Sequence, residues 1–76
     1  MYGTDWCGDT IRAKSFFEAH RIPYDYVDVD FDKEGLEFVK LVNAGRRVVP
    51  TIVCQDGSTL VEPTNDQLAR AFNAAL

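Results

Sequence analysis

The sequence predicts an α/β fold, a four-stranded mixed sheet flanked by three helices, in the order β-α-β-α-β-β-α within one domain spanning residues 1–76. Three observations lead there. Strand-type and helix-type runs alternate along the chain. Asp56-Gly57 separates two short apolar runs, which is the mark of a hairpin. Residues that start and stop helices bracket each helical run. The opening β-α-β unit should cross over right-handed and pair its strands in parallel. The hairpin adds an antiparallel strand, so the sheet is mixed, with helices on its faces.

Each element follows from its residues. Met1 to Thr4 reads as the end of a strand and Asp5 to Gly8 as a loop. From Asp9 to His20, the apolar residues Ile11, Ala13, Phe16, Phe17 and Ala19 recur at three- and four-residue steps, which predicts one buried helical face. Asp9 or Thr10 caps its start, and Pro23 lies just beyond its end. His20 falls at that end, where a cation suits the helix dipole. Tyr24 to Asp30 alternates in the manner of a strand. Asp32 precedes a second helix with Leu36, Phe38, Val39, Leu41 and Val42 on its apolar face, and Gly45 is placed as the left-handed residue that ends it. Val48 to Cys54 is an apolar run broken by Pro50 and reads as a buried strand. A proline there calls for an edge, a bulge, the first position of the strand or a cis Val49-Pro50 bond. Thr59 to Val61 returns as the hairpin partner. Thr64 with Gln67 forms a capping box, and Leu68, Ala71, Phe72 and Ala75 line one side of the last helix.

Composition narrows the function. A net charge of −4 and a single basic pair, Arg46-Arg47, argue against nucleic acid as a partner, since duplex binding needs a basic stripe. Asp25, Asp28, Asp30 and Asp32 read as a solvated acidic edge. No apolar run approaches the ~20 residues of a membrane span. The start has neither the basic nor the apolar region of a signal peptide, so a cytoplasmic location is expected. Met1-Tyr2 reads as the inside of a strand, so further residues are expected ahead of it. Two cysteines, Cys7 and Cys54, make neither a disulfide framework nor a zinc site, and no metal site is expected.

Cys7 is the candidate for chemistry. Only a thiolate attacks a disulfide. Cys7 stands just ahead of a predicted helix, where unpaired N–H groups favour negative charge. Gly8 permits close approach, and Thr10 is placed to donate its hydroxyl to the thiolate. Arg12 and Lys14 would add positive potential, and Asp9 would oppose it. Trp6 and Gly8 make a polar, open setting that is poor company for a core thiol. Cys54 follows Val53 in a buried-type run and reads as core packing.

Met-Tyr-Gly-Thr-x-Trp-Cys-Gly (1–8), Val-Asn-x-Gly (42–45), Val-Pro-Thr (49–51) and Asp-Gly-Ser-x-Leu (56–60), followed by Pro63 and a final helix, resemble the glutaredoxin family of the thioredoxin fold. The likeness is greatest to the mycoredoxins, which use mycothiol in place of glutathione. The resemblance implies that Cys7 is the nucleophile and that Val49 and a cis Pro50 face its sulfur. It places Trp6 and Tyr2 beside the active loop and Thr64, Asn65 and Asp66 near the polar end of a bound thiol. Arg46 or Arg47 would meet an anionic group. Thr10 stands where the family carries its second cysteine, so resolution within the loop is closed. Glu62-Pro63 replaces a glycine pair common in glutathione users. Asp9 and Thr10 replace the last two residues of the Cys-Gly-Phe-Ser loop of cluster-binding members.

The expected function is therefore a monothiol oxidoreductase. It would reduce mixed disulfides between proteins and a low-molecular-weight thiol, mycothiol or glutathione, through Cys7. That thiol is a co-substrate, no covalently bound cofactor is expected, and the protein is expected to be a monomer whose partners are thiolated or disulfide-containing proteins. Two alternatives stand beside it: a module that shares an iron–sulfur cluster between two chains, and a thiol-binding regulator without turnover.

Overall fold

The computed structural model describes residues 1–74. β1 (Tyr2–Gly3) lies parallel to β2 (Val27–Asp28), with Tyr2 opposite Val27 and Gly3 opposite Asp28. Parallel strands need a long connection, and α1 (Gly8–Ala19) supplies it. α2 (Lys33–Val42) then leads to β3 (Thr51–Val53), which runs antiparallel to β1. β4 (Thr59–Val61) pairs antiparallel with β3, and α3 (Asn65–Ala71) follows. The sheet order is β2-β1-β3-β4, so the predicted mixed four-stranded sheet with three helices is present. This is the thioredoxin-like arrangement.

Alternation along β1 puts helices on both faces. Successive strand residues point to opposite sides. The ring of Tyr2 stacks on Phe38 of α2 at 4.8 Å between centroids. Gly3 faces α1, where an added Cβ would lie 2.7 Å from Cγ2 and Oγ1 of Thr10. Glycine is required at position 3 because α1 approaches the strand there without room for a side chain.

The core lies on the α1 and α3 side. Ala13, Phe16 and Phe17 of α1 meet Ile52 of β3 and Leu68 and Ala69 of α3. Phe17 is central, with Tyr24 and Phe72 at 5.1 and 5.2 Å between ring centroids. Local signals read from the sequence are in place. The Asp32 side chain accepts from the Gly35 N–H, Thr64 and Gln67 complete a capping box, and Gly57 takes positive φ. After the Asn43 cap of α2 the first left-handed residue is Ala44 (φ 56), with Gly45 following at φ 86 and donating its N–H to the Lys40 carbonyl. His20 caps the C-terminal end of α1 and packs its ring on Phe16.

The differences concern phase and length. α1 begins at Gly8 with Cys7 as its N-cap, so neither Asp9 nor Thr10 caps it. Its buried face is Thr10, Ala13, Phe16 and Phe17, while Ile11 is 50% exposed and Ala19 faces solvent. One residue of helical rotation, about 100°, separates that face from the one read off Ile11. In α2 the buried residues are Gly35 and Val39, and Leu41 is 80% exposed. In α3, Ala69 takes the buried place expected of Ala71, and Ala75 lies outside the described residues. The strand predicted over 24–30 shrinks to Val27–Asp28, because β1 offers only two residues to pair with. Tyr24 instead packs on Phe17, and the Asp30 N–H turns back to the Asp28 side chain.

Candidate active site

Cys7 sits where β1 hands over to α1. Its N–H donates to the Thr4 carbonyl at 3.2 Å, and its own carbonyl accepts the first helical bond from the Ile11 N–H at 3.0 Å. The turn Thr4–Cys7 is closed at one end by the strand and at the other by the helix. The N–H groups of the first helical turn have no partner within the helix. Cys7 is half-buried at that end as the N-cap, and its side chain makes no cap hydrogen bond to them. Its Sγ lies 3.9 Å from the carbonyl oxygen of Val49, to which the thiol donates. The Val49-Pro50 bond is cis, and Pro50 is buried ahead of β3. Thus Cys7, Val49 and Pro50, far apart in sequence, form one edge. Apart from its chain neighbours and its own helix, nothing lies within 4 Å of where a Cβ of Gly8 would stand, so that position is open and no packing contact demands glycine there.

Trp6, the residue before Cys7, presents its ring to solvent as a shelf. It is 67% exposed, yet its indole N–H donates to Asp30 Oδ2 at 2.8 Å. The same carboxylate accepts from the Arg47 guanidinium through Oδ1. The guanidinium carbon of Arg47 lies 5.8 Å from the Trp6 ring centroid. On the other flank, Arg12 donates to Asp9 and to Asn65 of α3, each at 3.2 Å. This draws the start of α3 toward the cysteine loop. Behind the loop, Tyr26 donates to Asp5 at 2.8 Å and Lys14 lies 3.6 Å above the Tyr26 ring.

The structure does not bring every predicted residue to the sulfur. Thr10 is fully buried, faces Gly3, and its hydroxyl has no hydrogen-bond partner, so it does not donate to Cys7. The helical phase turns position 10 into the sheet, away from the open side. Thr64 spends its N–H and hydroxyl oxygen on the capping box with Gln67. Asp66 lines a depression on the outer side of α3 with Arg70 and Asn73. Tyr2 stacks on Phe38, on the α2 face of the sheet. Arg12 and Lys14 are paired with Asp9 and Asp5, and neither contacts the sulfur. Cys54 is half-buried just past β3, where it lines a cavity of about 520 Å³ with Ile22, Pro23 and Phe72. It lies at the opposite end of β3 from Val49 and so from Cys7. Among the described residues no group of three or more His, Cys, Asp or Glu side chains is gathered for a metal ion. Asp30 was legible only as one of an acidic series, and nothing local marks it as the residue that holds Trp6.

The Asp5–Tyr26 bond sets a pH response. Hydrogen bonds from Tyr26 and Lys14 hold the Asp5 carboxyl below its ordinary range. Burial, then the Asp5 bond, pushes the Tyr26 phenol far above its ordinary value. Its folded form therefore keeps a proton that the unfolded chain loses near pH 10. The resulting stability is complete below that pH and declines as pH rises above it. The Asp5 part is complete above about pH 4 and is lost on acidification below it. Urea midpoints measured from pH 9 to 12 should fall less steeply in Tyr26→Phe than in the parent, and equal slopes would remove the Tyr26 contribution.

The glutaredoxin family model matches residues 1–58. A candidate glutaredoxin of Mycobacterium tuberculosis is 46% identical over 68 residues, covering 90% of this chain and 81% of that protein. Mycoredoxin 1 of Corynebacterium glutamicum is 40% identical over 63 residues, covering 83% of this chain and 77% of its own.

Proposed function

The chain belongs to the glutaredoxin family, and on that premise we propose that it is a monothiol oxidoreductase acting through Cys7 alone. Family membership supports thiol–disulfide exchange as the chemistry. The observation that carries the monothiol reading is positional. Cys7 is half-exposed on the open edge beside Val49, position 10 holds a buried threonine, and Cys54 lies at the far end of β3.

The reaction runs in two exchanges. The Cys7 thiolate attacks the low-molecular-weight sulfur of a mixed disulfide. A Cys7–thiol disulfide forms, the substrate S–S bond breaks, and the protein thiolate leaves with the electron pair. A second low-molecular-weight thiolate then attacks the bound thiol's sulfur. The small symmetric disulfide departs and Cys7 returns as thiolate. The first turn of α1 supports negative charge on the sulfur at both departures. Val49 and the cis Pro50 offer backbone to the peptide-like part of the thiol, with Gly8 and Trp6 bounding the open side. Asn65, held by Arg12, faces the ligand's polar end. Mycothiol or glutathione serves as co-substrate, and thiolated or disulfide-bearing proteins are the partners. The protein works as a single-domain monomer in the cytoplasm. Among the described residues, no helix is long and apolar enough to cross a membrane.

Incubating reduced protein with mixed disulfides that carry either thiol, followed by mass analysis of peptides, tests the reading. One thiol should be found on Cys7 and none on Cys54. An adduct on Cys54, or none on Cys7, rejects it.

A further inference from the structure

The ion pairs of the described residues share a pattern: Arg12 with Asp9, Lys14 with Asp5 and Arg47 with Asp30. Each cation belongs to α1 or to the loop ahead of the cis proline, the two segments that border Cys7, and each is answered by a carboxylate of this chain. Exposed pairs of this kind add little stability. Their larger effect is on the local field. Asp30 differs from the others in its reach. One oxygen accepts from the indole of Trp6, the residue before Cys7. The other accepts from Arg47, two residues ahead of Val49. It therefore stands between the two walls of the site and cancels the cation that lies over the Trp6 shelf.

From this, and resting on Cys7 as the reacting thiol, we infer that Asp30 is a specificity-determining residue: its carboxylate occupies Arg47, so the site favours thiols whose far end carries no carboxylate. A free guanidinium beside Trp6 would anchor an incoming carboxylate through paired N–H donors. With Asp30 in place one terminal nitrogen of that guanidinium is engaged and its charge is offset, so an anionic ligand meets a neutral pair. A thiol with an uncharged end loses nothing by this, because it needs shelf and backbone rather than a cation. Asp30 acts through Arg47 and Trp6 and does not touch the reacting sulfur.

Iodoacetate and iodoacetamide test the inference directly, since they alkylate the same sulfur and differ in one negative charge. The ratio of their rate constants at Cys7 cancels any change in thiolate population. Asp30→Asn keeps an acceptor for the Trp6 indole and removes the charge. It should raise the iodoacetate/iodoacetamide ratio roughly three- to tenfold at about 0.01 M salt, with most of the gain gone near 1 M. Arg47→Gln should lower the ratio by a similar factor, and the double variant should return it close to the parent value. Mere loosening of the loop would move both single variants in the same direction. Equal ratios in the parent and both single variants, or shifts of the same sign, overturn the inference. If the ratios move as expected while the parent protein turns over no mixed disulfide, the inference stands and the proposed function falls.

Discussion

Cys7→Ser is expected to abolish reduction of mixed disulfides, a loss of about a thousandfold or more, while Cys54→Ser keeps at least about half of the parent rate. The asymmetry follows from where the fold places the two thiols. Cys7 is the N-cap of α1, with Sγ 3.9 Å from the Val49 carbonyl and open space at Gly8. A hydroxyl at that place has the geometry but forms no disulfide, so the first exchange cannot start. Cys54 lines a cavity with Ile22 and Phe72 beyond the other end of β3. A disulfide needs its two Cα atoms within about 7 Å, and α1 alone, with 12 residues, separates the Cys7 end of the core from the Ile22 end. At about 1.5 Å per residue that is a gap no side chain spans. The measurement is turnover of a thiolated peptide with excess free thiol. Activity retained by Cys7→Ser, or lost in Cys54→Ser with the fold intact, would sink the monothiol reading.

Under the proposed mechanism, the buried Thr10 leaves the active loop with no second thiol. Its side chain faces Gly3 and the sheet, and its hydroxyl is unpartnered. The sequence showed that a threonine stands three residues after Cys7. It did not show that the residue is turned inward, because the phase of α1 is set by packing against a strand rather than by the helix itself. Ile11 is the more apolar neighbour and was the natural choice for the core, yet it is half exposed. What proved legible was local. The Asp32 and Thr64 caps and the Asp56-Gly57 turn each depend on residues two or three positions apart. The cis Val49-Pro50 bond and its place opposite Cys7 followed from family likeness, since Val-Val-Pro-Thr alone left several conformations open. Asp30 was not legible. Its partners lie 24 residues before it and 17 after it, and no short-range pattern distinguishes it from Asp28 or Asp32. Strand lengths were overdrawn for a related reason, since an apolar run can be longer than the partner it pairs with.

Phe17→Ala is expected to cost about 3–5 kcal/mol, the largest stability loss of any single truncation in α1. The ring is 1% exposed and meets Phe16, Tyr24 and Phe72. It thus joins α1 to the chain leading into β2 and to the end of α3. Leu68, fully buried, closes the same core from α3. Removing the ring takes away its transfer free energy and leaves a cavity that three neighbours on different segments cannot all relax into. A domain of 76 residues is stable by only several kcal/mol, at roughly 0.05–0.15 per residue. The substitution therefore takes a large share of the total, and a fall in Tm of roughly 12–40 °C follows for a chain of this size. Phe17→Leu, which fills most of the space, should cost about 1–2 kcal/mol. Ile11→Ala, six residues earlier on the exposed face, should stay within about 0.5 kcal/mol. Urea unfolding of the three variants decides the matter. If Ile11→Ala proved as costly as Phe17→Ala, the helical phase that turns Thr10 inward and leaves Cys7 on the open edge would be wrong, and the site built on that phase would go with it.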